Sequence, residues 1–491
     1  MWFNNFFRSF VGMTGDTPPL FLYNTLSKQK DLFTLPQGVR KVRMYNCGPT
    51  VYGRQHIGNL SMFVFTDILR RTLEVNGFGI KQVINITDVG HLSSDADSGE
   101  DKMTLGLKRE GMEPTLENMR ALADTYANIF VTDLEALNID TSKVQFPRAS
   151  DHIPAQMAMI KTLEEKSYAY KTADGVYFDT SKFPRYGELG GIDLEGLKMG
   201  ARVAPVEGKR NPTDFSLWKL NPDLGWESPW GQGFPGWHIE CSAMIRVCLG
   251  ERIDIHTGGI EHIPIHHNNE IAQSESATGK RPLSRFWLHR AHIQIEGGKI
   301  AKSQGNVVYL SDIIERGFHP LSLRYLFLGA HYRTASNFSW EALQAAQNTL
   351  EKLIVIADRA SREVLSPAPT RWLRSFRERV NDDLDTPGAL AVMWEMIKDP
   401  QLAPGQLFAG LSEMDKVLGL NMFEPDEKFS SLMQREVSVK DLPVDVQQTI
   451  KERNEAREKK NWARADELRE SIEKSGYNIE DKEGGTRITT R

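Results

Sequence analysis

Cysteine is scarce in this chain, and long apolar runs and an excess of positive charge are absent. There are 3 cysteines among 491 residues, too few for a disulfide framework, which fits a reducing compartment such as the cytoplasm. No stretch reaches the roughly 18 apolar residues that a membrane-spanning helix needs, so no membrane contact is expected. The formal net charge of −5 excludes a uniformly basic nucleic-acid-binding surface but leaves room for a local one.

The chain is long and rich in aromatic side chains. Its 10 Trp, 12 Tyr and 23 Phe residues require buried positions, which excludes a disordered chain. At roughly 150 residues a domain, the length predicts about three domains. The first residues, MWFNNFFRSFVGM, lack the basic segment, long apolar core and small-residue cleavage site of a signal peptide. Residues 1–20 are therefore interpreted as a short extension.

A strand, a helix and a second strand are predicted near the N-terminus. The segment KVRMYNCGPTVY has strand-like apolar residues and then a Gly-Pro turn. The segment LSMFVFTDILRRTLEVNG has apolar residues at helical spacing and ends at Asn76-Gly77. A short β-branched run, IKQVINIT, follows. This order predicts a parallel sheet and an α/β fold.

The rest of the chain changes character twice. Residues 165–218 are rich in Gly, Tyr and Pro, and we predict an inserted, partly β-stranded subdomain there. Residues 235–310 return to strands and loops. From about residue 318 the pattern becomes helical and is predicted to stay so, with a highly charged helical stretch over 447–475.

Two short motifs suit phosphate chemistry. HIGN, at residues 56–59, begins a predicted helix, where free N–H groups favour anions, and His56 could donate to a phosphate oxygen. In KIAKSQGN, Lys299 and Lys302 could stabilise charge on a transferring phosphate. Taken alone, each motif also fits a structural role, as a turn histidine or a solvated loop.

A helix beginning near Pro264 carries candidate metal ligands. Proline is tolerated in the first turn of a helix, so His266 and Glu270 are expected at i and i+4 on one face. His267 lies three residues before Glu270 and is a rival ligand.

Thiols are the second source of candidate ligands. Cys47 and Cys241, with an imidazole and a carboxylate, make a donor set that suits Zn²⁺. The alternative is that both are small buried apolar residues. Cys248 is expected to have a packing role. The acidic loop 95–101 does not match a calcium-binding EF-hand loop and is interpreted as solvated or substrate-facing.

Taken together, these segments resemble the cysteinyl-tRNA synthetase family, which belongs to the class I aminoacyl-tRNA synthetases. The match runs from about residue 20 to the C-terminus. HIGN and KIAKS correspond to the family's HIGH and KMSKS motifs, which alone would indicate only class I. The segments that carry cysteine specificity are YNCGPTVYGRQHIGN, GWHIECSAM and IDIHTGGIEHIPIHHNNEIAQS.

The resemblance implies roles for individual residues. The implied zinc ligands are Cys47, Cys241, His266 and Glu270, which favours His266 over His267. The implied ATP contacts are His56, Gly58, Asn59 and Lys302. The implied catalytic residues are His56, Asn59, Lys299 and Lys302. The implied contacts to the amino acid are Trp237, as an aromatic wall of the pocket, and His256.

The resemblance also implies a domain order. A Rossmann-like parallel-sheet catalytic domain is split by an insertion and followed by a helical anticodon-binding bundle and a small C-terminal domain. The expected boundaries are 1–20 for the extension, 21–125 and 213–285 for the catalytic halves, 126–212 for the insertion, 286–349 for the KMSKS loop and stem-contact region, 350–440 for the bundle and 441–491 for the C-terminal domain.

The implied activity is ATP-dependent ligation of L-cysteine to tRNA(Cys) through a cysteinyl-adenylate. ATP would enter with Mg²⁺, and one zinc ion per chain would select the substrate thiolate. The protein is expected to act as a monomer. In the helical half, Arg371, Arg374 and Arg377 could face phosphate and Trp462 could stack on an anticodon base, although a solvated helix face and simple packing are equally consistent.

Two alternatives share these motifs. One is a related ligase that joins cysteine to an amino sugar, which largely lacks the C-terminal half. The other is a non-catalytic, zinc-stabilised RNA-binding relative, against which the retained His56, Lys299 and Lys302 argue.

Overall fold

The computed structural model describes residues 17–94, 98–191, 208–295, 298–299, 307–364, 366–424, 437–482 and 485–490. The strands are β1 Phe21–Asn24, β2 Gln29–Leu32, β3 Lys41–Asn46, β4 Gly79–Ile84, β5 Leu92–Ser94, β6 Ser98–Asp101, β7 Val144–Gln145, β8 Ala169–Lys171, β9 Gly175–Phe178, β10 Phe215–Leu220, β11 Gly233–Pro235, β12 Ile253–Gly259, β13 Ser284–Arg290, β14 Ile293–Ile295, β15 Gly298–Lys299, β16 Ser336–Phe338, β17 Tyr477–Lys482 and β18 Gly485–Thr490.

Helices fill most of the remaining described chain. The α-helices are α1 Ile57–Val75, α2 Lys102–Glu110, α3 Leu116–Ala136, α4 Ile153–Glu165, α5 Trp237–Cys248, α6 Asn268–Thr278, α7 Leu310–Glu315, α8 Pro320–Leu328, α9 Trp340–Ser361, α10 Thr370–Asn381, α11 Thr386–Ile397, α12 Pro404–Leu418, α13 Val444–Glu458 and α14 Trp462–Lys474. Within the described part of the chain, none of the helices is both long enough and apolar enough to cross a membrane.

A five-stranded parallel sheet forms the centre of the fold. Its strand order is β13-β12-β3-β4-β7, and every neighbouring pair is parallel. Met44 on β3 lies opposite both Ile255 on β12 and Gln82 on β4. The parallel α/β architecture expected from the sequence is confirmed. The strand order reverses between β3 and β12, and such switch points are where α/β sheets bind ligands.

Helix α1 confirms the predicted strand–helix–strand unit. It joins β3 to β4, begins after the N-cap His56 and ends at Asn76, as the Asn-Gly stop predicted. Most of its side chains are buried, including Phe63 and Leu69, because the helix packs between the central sheet and the helical second half of the chain.

An antiparallel sheet of four strands begins in the predicted insertion, with β8 and β9, and continues past residue 212, with β10 and β11. Their order is β11-β10-β9-β8, and aromatic side chains fill the core beneath them. The rings of Phe178 and Phe215 stack at 5.0 Å between centroids, and Trp218 is fully buried. The sheet returns the chain to the catalytic core through β11, which leads directly into α5.

The C-terminal half is largely helical, but the prediction that it stays helical from about residue 318 is wrong at β16, which pairs with β14, and at its end. Helices α9 to α12 pack around an apolar core that includes Leu350, Phe376 and Met393. Beyond α14, β17 and β18 form an antiparallel hairpin. Ile479 and Ile488 pair directly across it and join the core of α13 and α14. The hairpin forms because these two isoleucines cover an apolar surface that two helices alone would expose.

Candidate active site

The implied zinc ligands lie together at the switch point of the central sheet. Cys47 comes directly after β3, and its N–H donates to the Thr257 carbonyl of β12 at 3.1 Å. Cys241 lies on α5, and both thiols are buried. The candidate site therefore lies at the carboxyl ends of β3 and β12, and α5, outside the sheet, contributes Cys241 to it.

The helix that begins near Pro264 delivers the other two residues. A π-helical turn, Ile263–His267, continues into α6, with the proline in its first turn. The His266 Nε2 atom lies 2.9 Å from Glu270 Oε1, at the predicted i and i+4 spacing. The second carboxylate oxygen of Glu270 lies 2.8 Å from His256 Nε2, on β12. Each of these side chains is buried.

Two overlapping sets of side chains could hold a metal ion. In each set, the four donor atoms lie within 4.8 Å of one another. The first set is Cys47, Cys241, His266 and Glu270, and the second is Cys47, His256, His267 and Glu270. The first offers two sulfur donors, an imidazole and a carboxylate, a combination that Zn²⁺ favours. The second places one thiol beside two imidazoles, and His267 Nε2 contacts the Cys47 sulfur at 3.2 Å.

The electrostatics of this cluster favour a cation. The Cys47 thiol holds the pKa of Cys241 down to about 6, whereas burial raises the pKa of Cys47 well above its usual range. Burial alone would raise the pKa of Glu270, but His256 and His266 hold it well below its ordinary value. Burial alone would lower the pKa of His266, but Glu270 and Cys241 raise it to about 10. A proton on His266 thus supplies positive charge that buried anions require.

A second layer of histidines surrounds the candidate ligands, and two of its members, His238 and His289, were not predicted from the sequence. His238 Nδ1 lies 2.9 Å from His266 Nδ1, and His267 Nδ1 lies 2.8 Å from His289 Nε2. His289 in turn contacts the Thr25 hydroxyl at 2.7 Å. Such contacts fix the orientation of ligand rings. The sequence signal for His238 is its place in GWHIECS, three residues before Cys241.

HIGN forms the start of α1, as predicted. His56 is the N-cap, and its Nδ1 accepts the Asn59 N–H at 3.2 Å, so the neutral ring carries its proton on Nε2. The Ile57 N–H donates to the Val308 carbonyl at 2.9 Å. Gly58 keeps an N–H without a partner among the described residues. This end of α1 can therefore offer donors to an anion.

Val308 and Tyr309, which follow the KIAKSQGN segment in the chain, lie against HIGN. Val308 accepts from the first residue of α1, and Tyr309 forms a backbone bridge with His56. Lys299 lies on β15. Lys302 and residues 95–97 of the acidic loop lie outside the described residues.

Trp237 and His256 both lie beside the candidate metal ligands. Trp237 is the first residue of α5, and its ring lies 4.2 Å from that of His266. His256 stacks on Trp287 at 4.5 Å, beside Glu270. The structure thus groups an aromatic wall, two thiols and several imidazoles in one place.

The other residues singled out from the sequence lie away from this cluster. Cys248 is half-buried and packs against the core at the end of α5. Arg371 and Arg374 pair with Asp399 and Glu378, and Arg374 shares helix α10 with its partner. Trp462 begins α14 and is 59% exposed, which leaves its ring available for stacking.

Comparisons with known proteins identify the family of this chain. Residues 34–348 match the family model described as "tRNA synthetases class I (C) catalytic domain". Residues 439–488 match "Cysteinyl-tRNA ligase anticodon binding domain". A cysteine–tRNA ligase 1 of Burkholderia lata is 45% identical over 478 residues, covering 96% of this chain and 97% of that protein. The chain belongs to the cysteine–tRNA ligase family.

A second relative and a solved structure extend the comparison. A cysteine–tRNA ligase of Treponema denticola is 40% identical over 496 residues, covering 95% of this chain and 99% of that family member. The solved structure of a methionyl-tRNA synthetase from Mycobacterium tuberculosis aligns with a TM-score of 0.54 and 15% identity, covering 80% of this chain and 93% of the other. That structure supports the class I fold alone.

Proposed function

We propose that the protein joins L-cysteine to tRNA(Cys) at the expense of ATP, through a cysteinyl-adenylate. The observation that carries this proposal is the position of the buried Cys47, Cys241, His266 and Glu270 at the sheet's switch point, with Cys47 in the β3–α1 connection that ends at the N-terminus of α1. One end of this site suits a thiol-bearing amino acid, and the other suits phosphate.

Zn²⁺ fits the residues present. Cys47, Cys241, His266 and Glu270 would hold it, because their donor atoms converge within 4.8 Å of one another in a buried site. When bound, zinc would supply a soft Lewis acid that favours the thiolate of cysteine over the hydroxyl of serine, a discrimination that a simple apolar pocket makes poorly.

The start of α1 would bind ATP. The Gly58 N–H and the Nε2 donor of His56 would contact phosphate oxygens at the positive end of the helix dipole. Asn59 is exposed at the same end, and Mg²⁺ would accompany the nucleotide. Lys299 and Lys302 would add positive charge from the KIAKS segment, and Val308, a few residues further along the chain, contacts the first residue of α1.

Chemistry then requires orientation and charge stabilisation more than a protein nucleophile. The cysteine carboxylate attacks the α-phosphate of ATP, and pyrophosphate leaves. The terminal ribose hydroxyl of the tRNA next attacks the carbonyl carbon of the adenylate. The bond between that carbon and the bridging oxygen breaks, and AMP leaves with the bridging oxygen still bonded to phosphorus. The donors at HIGN and the two lysines would stabilise charge that develops on the phosphates.

The C-terminal half supports tRNA rather than an amino sugar as the acceptor. Residues 439–488 match an anticodon-binding domain, and a ligase for a small acceptor has no use for one. Trp462 is exposed within this region and is our candidate for stacking on a base. We propose a monomer as the active form.

Pyrophosphate exchange and tRNA charging together test the proposal. Zinc-loaded protein should exchange labelled pyrophosphate into ATP only when cysteine is present, and should then attach cysteine to tRNA(Cys) but not to an amino sugar. Absence of cysteine-dependent exchange would overturn the enzyme assignment. Exchange followed by transfer to the amino sugar alone would overturn the choice of acceptor.

A further inference from the structure

Four histidine rings lie around Trp237, and the two nearest, His91 and His266, come from different parts of the chain. Its indole lies parallel to the His91 ring, with 4.0 Å between centroids and 8° between planes. It also lies 4.2 Å from the ring of His266, tilted by 31°. Because the indole is only half-buried, these two close ring contacts help to restrain a side chain that lies beside the candidate metal ligands.

His91 is itself held at both ring nitrogens. Lys102 Nζ lies 2.6 Å from Nε2, and the Thr50 hydroxyl lies 2.5 Å from Nδ1. An ammonium can only donate, so Nε2 accepts, and the neutral ring then donates from Nδ1 to Thr50. Burial and the neighbouring Lys102 lower the pKa of His91 well below its usual value, in agreement with a neutral ring.

The backbone reinforces this arrangement. The Lys102 N–H donates to the His91 carbonyl at 2.8 Å, which closes the hairpin of β5 and β6. Asp101 caps α2 by accepting the Thr104 N–H at 3.0 Å, which fixes the start of that helix next to Lys102. Thr50 follows shortly after the candidate ligand Cys47, and a backbone bridge ties it to Thr87. Two separate segments, those of Lys102 and Thr50, therefore fix the His91 ring.

We propose that His91 is a positioning residue for the amino-acid site: held by Lys102 and Thr50, its flat ring keeps the Trp237 indole against His266 and so sets the space open to the substrate side chain. This inference rests on the proposed function. An indole free to rotate about its side-chain bonds would leave the cysteine pocket wider and less ordered, while the phosphate-binding end at α1 would be unchanged.

Variants of His91 separate this role from general stability. In zinc-loaded protein, His91→Ala should weaken cysteine binding about tenfold, as expected when a positioning contact is lost. The KM for ATP and the zinc content should stay at wild-type values. His91→Phe keeps a flat ring without the polar contacts and should recover most of the cysteine affinity. Isothermal titration with cysteine, pyrophosphate exchange and metal analysis provide the three readouts.

A lysine pair from helix α2 provides the matched control. Lys102→Met removes the donor that orients His91 and should shift cysteine affinity in the same direction as His91→Ala. Lys108 lies on the same helix, but its side chain is 65% exposed and pairs with Glu100. Lys108→Met should therefore leave cysteine affinity unchanged.

The outcomes distinguish this inference from the function on which it rests. Wild-type cysteine affinity in His91→Ala, or equal losses of ATP affinity, zinc and cysteine binding, would overturn it. It would also be overturned if His91→Phe performed no better than His91→Ala. Wild-type protein that shows no cysteine-dependent exchange would instead overturn the proposed function.

Discussion

Arg324 on α8 donates to the buried carboxylate of Asp67 on α1 across 2.6 Å. The same guanidinium donates to the carbonyl of Leu137 at 3.0 Å and to that of Leu418, at the end of α12, at 2.7 Å. Arg71 contributes a further bond to Asp67 at 2.7 Å. One carboxylate thus joins the helix that begins at HIGN to the helical C-terminal half of the protein.

Replacing Asp67 should destabilise the protein strongly. Asp67→Asn keeps the shape of the side chain but leaves the fully buried Arg324 without its counter-charge, at a cost of about 3–5 kcal/mol. Chemical denaturation followed by circular dichroism measures the loss. Glu378→Gln breaks an ion pair between half-exposed side chains and should cost less than about 1 kcal/mol. Equal losses in the two variants would contradict the role given to Asp67.

The same carboxylate should make stability depend on pH in acid. Burial alone would raise the pKa of Asp67, but Arg324, Arg71 and Arg70 lower it to about 2. A folded-state pKa below the unfolded one means that the stabilisation is present above about pH 4 and is lost as the pH falls toward 2, by about 2–3 kcal/mol. Denaturation midpoints measured between pH 5 and pH 2.5 should therefore fall less steeply in Asp67→Asn. Identical slopes would show that another group governs acid sensitivity.

Cys241 and Cys248 give a matched pair on one helix. Cys241→Ser should lower zinc content and cysteine affinity together, because a hydroxyl is a poor substitute for a soft thiolate ligand. Cys248→Ser should leave both unchanged, since that thiol only packs at the end of α5. Metal analysis and cysteine titration provide the measurements. Full zinc content in Cys241→Ser would refute the assigned ligand set.

Adjacent histidines distinguish the two possible ligand sets. His266→Gln removes an imidazole from the set that contains both thiols, and we expect most of the zinc to be lost. His267→Gln removes a ring that contacts Cys47 and His289, and we expect a loss of about 10–100-fold in metal affinity without loss of stoichiometric binding at saturating zinc. The reverse order of zinc contents would assign the site to the second set.

His56 should have separable structural and catalytic roles. His56→Asn retains a side-chain oxygen that can cap α1, whereas His56→Ala loses the cap at a cost of about 1 kcal/mol. Both variants lose the Nε2 donor, so both should reduce cysteine-dependent pyrophosphate exchange by about 10²–10³-fold. Thermal unfolding and exchange rates measure the two effects. Wild-type exchange in His56→Asn would exclude a phosphate contact from this ring.

Local patterns in the sequence predicted the elements that depend on local spacing. The bounds of α1 follow from apolar periodicity and the Asn76 stop, and the pairing of His266 with Glu270 follows from a proline-started helix. The parallel sheet follows from the order of its elements.

Contacts between distant segments could not be read in this way. Asp67 appears in a helix of apolar residues with no local sign that Arg324, 257 positions away, neutralises it. The stack of His91 on Trp237 depends on how the β5–β6 hairpin closes. The hairpin of β17 and β18 was missed because its buried face consists chiefly of Ile479 and Ile488, too few apolar residues to reveal alternation.

The scattered origin of the candidate zinc ligands sets an order of events during biosynthesis. Cys47 and Glu270 are separated by 223 positions, and their donors meet only after β3 and β12 have paired. An unfolded chain presents no compact set of donors, so ion capture has to follow collapse of the sheet, unlike in small zinc fingers that fold around their metal. Newly made protein should therefore first reach a folded, metal-free form. The cellular zinc supply would then determine the fraction of folded protein that is active, and not the fraction that folds.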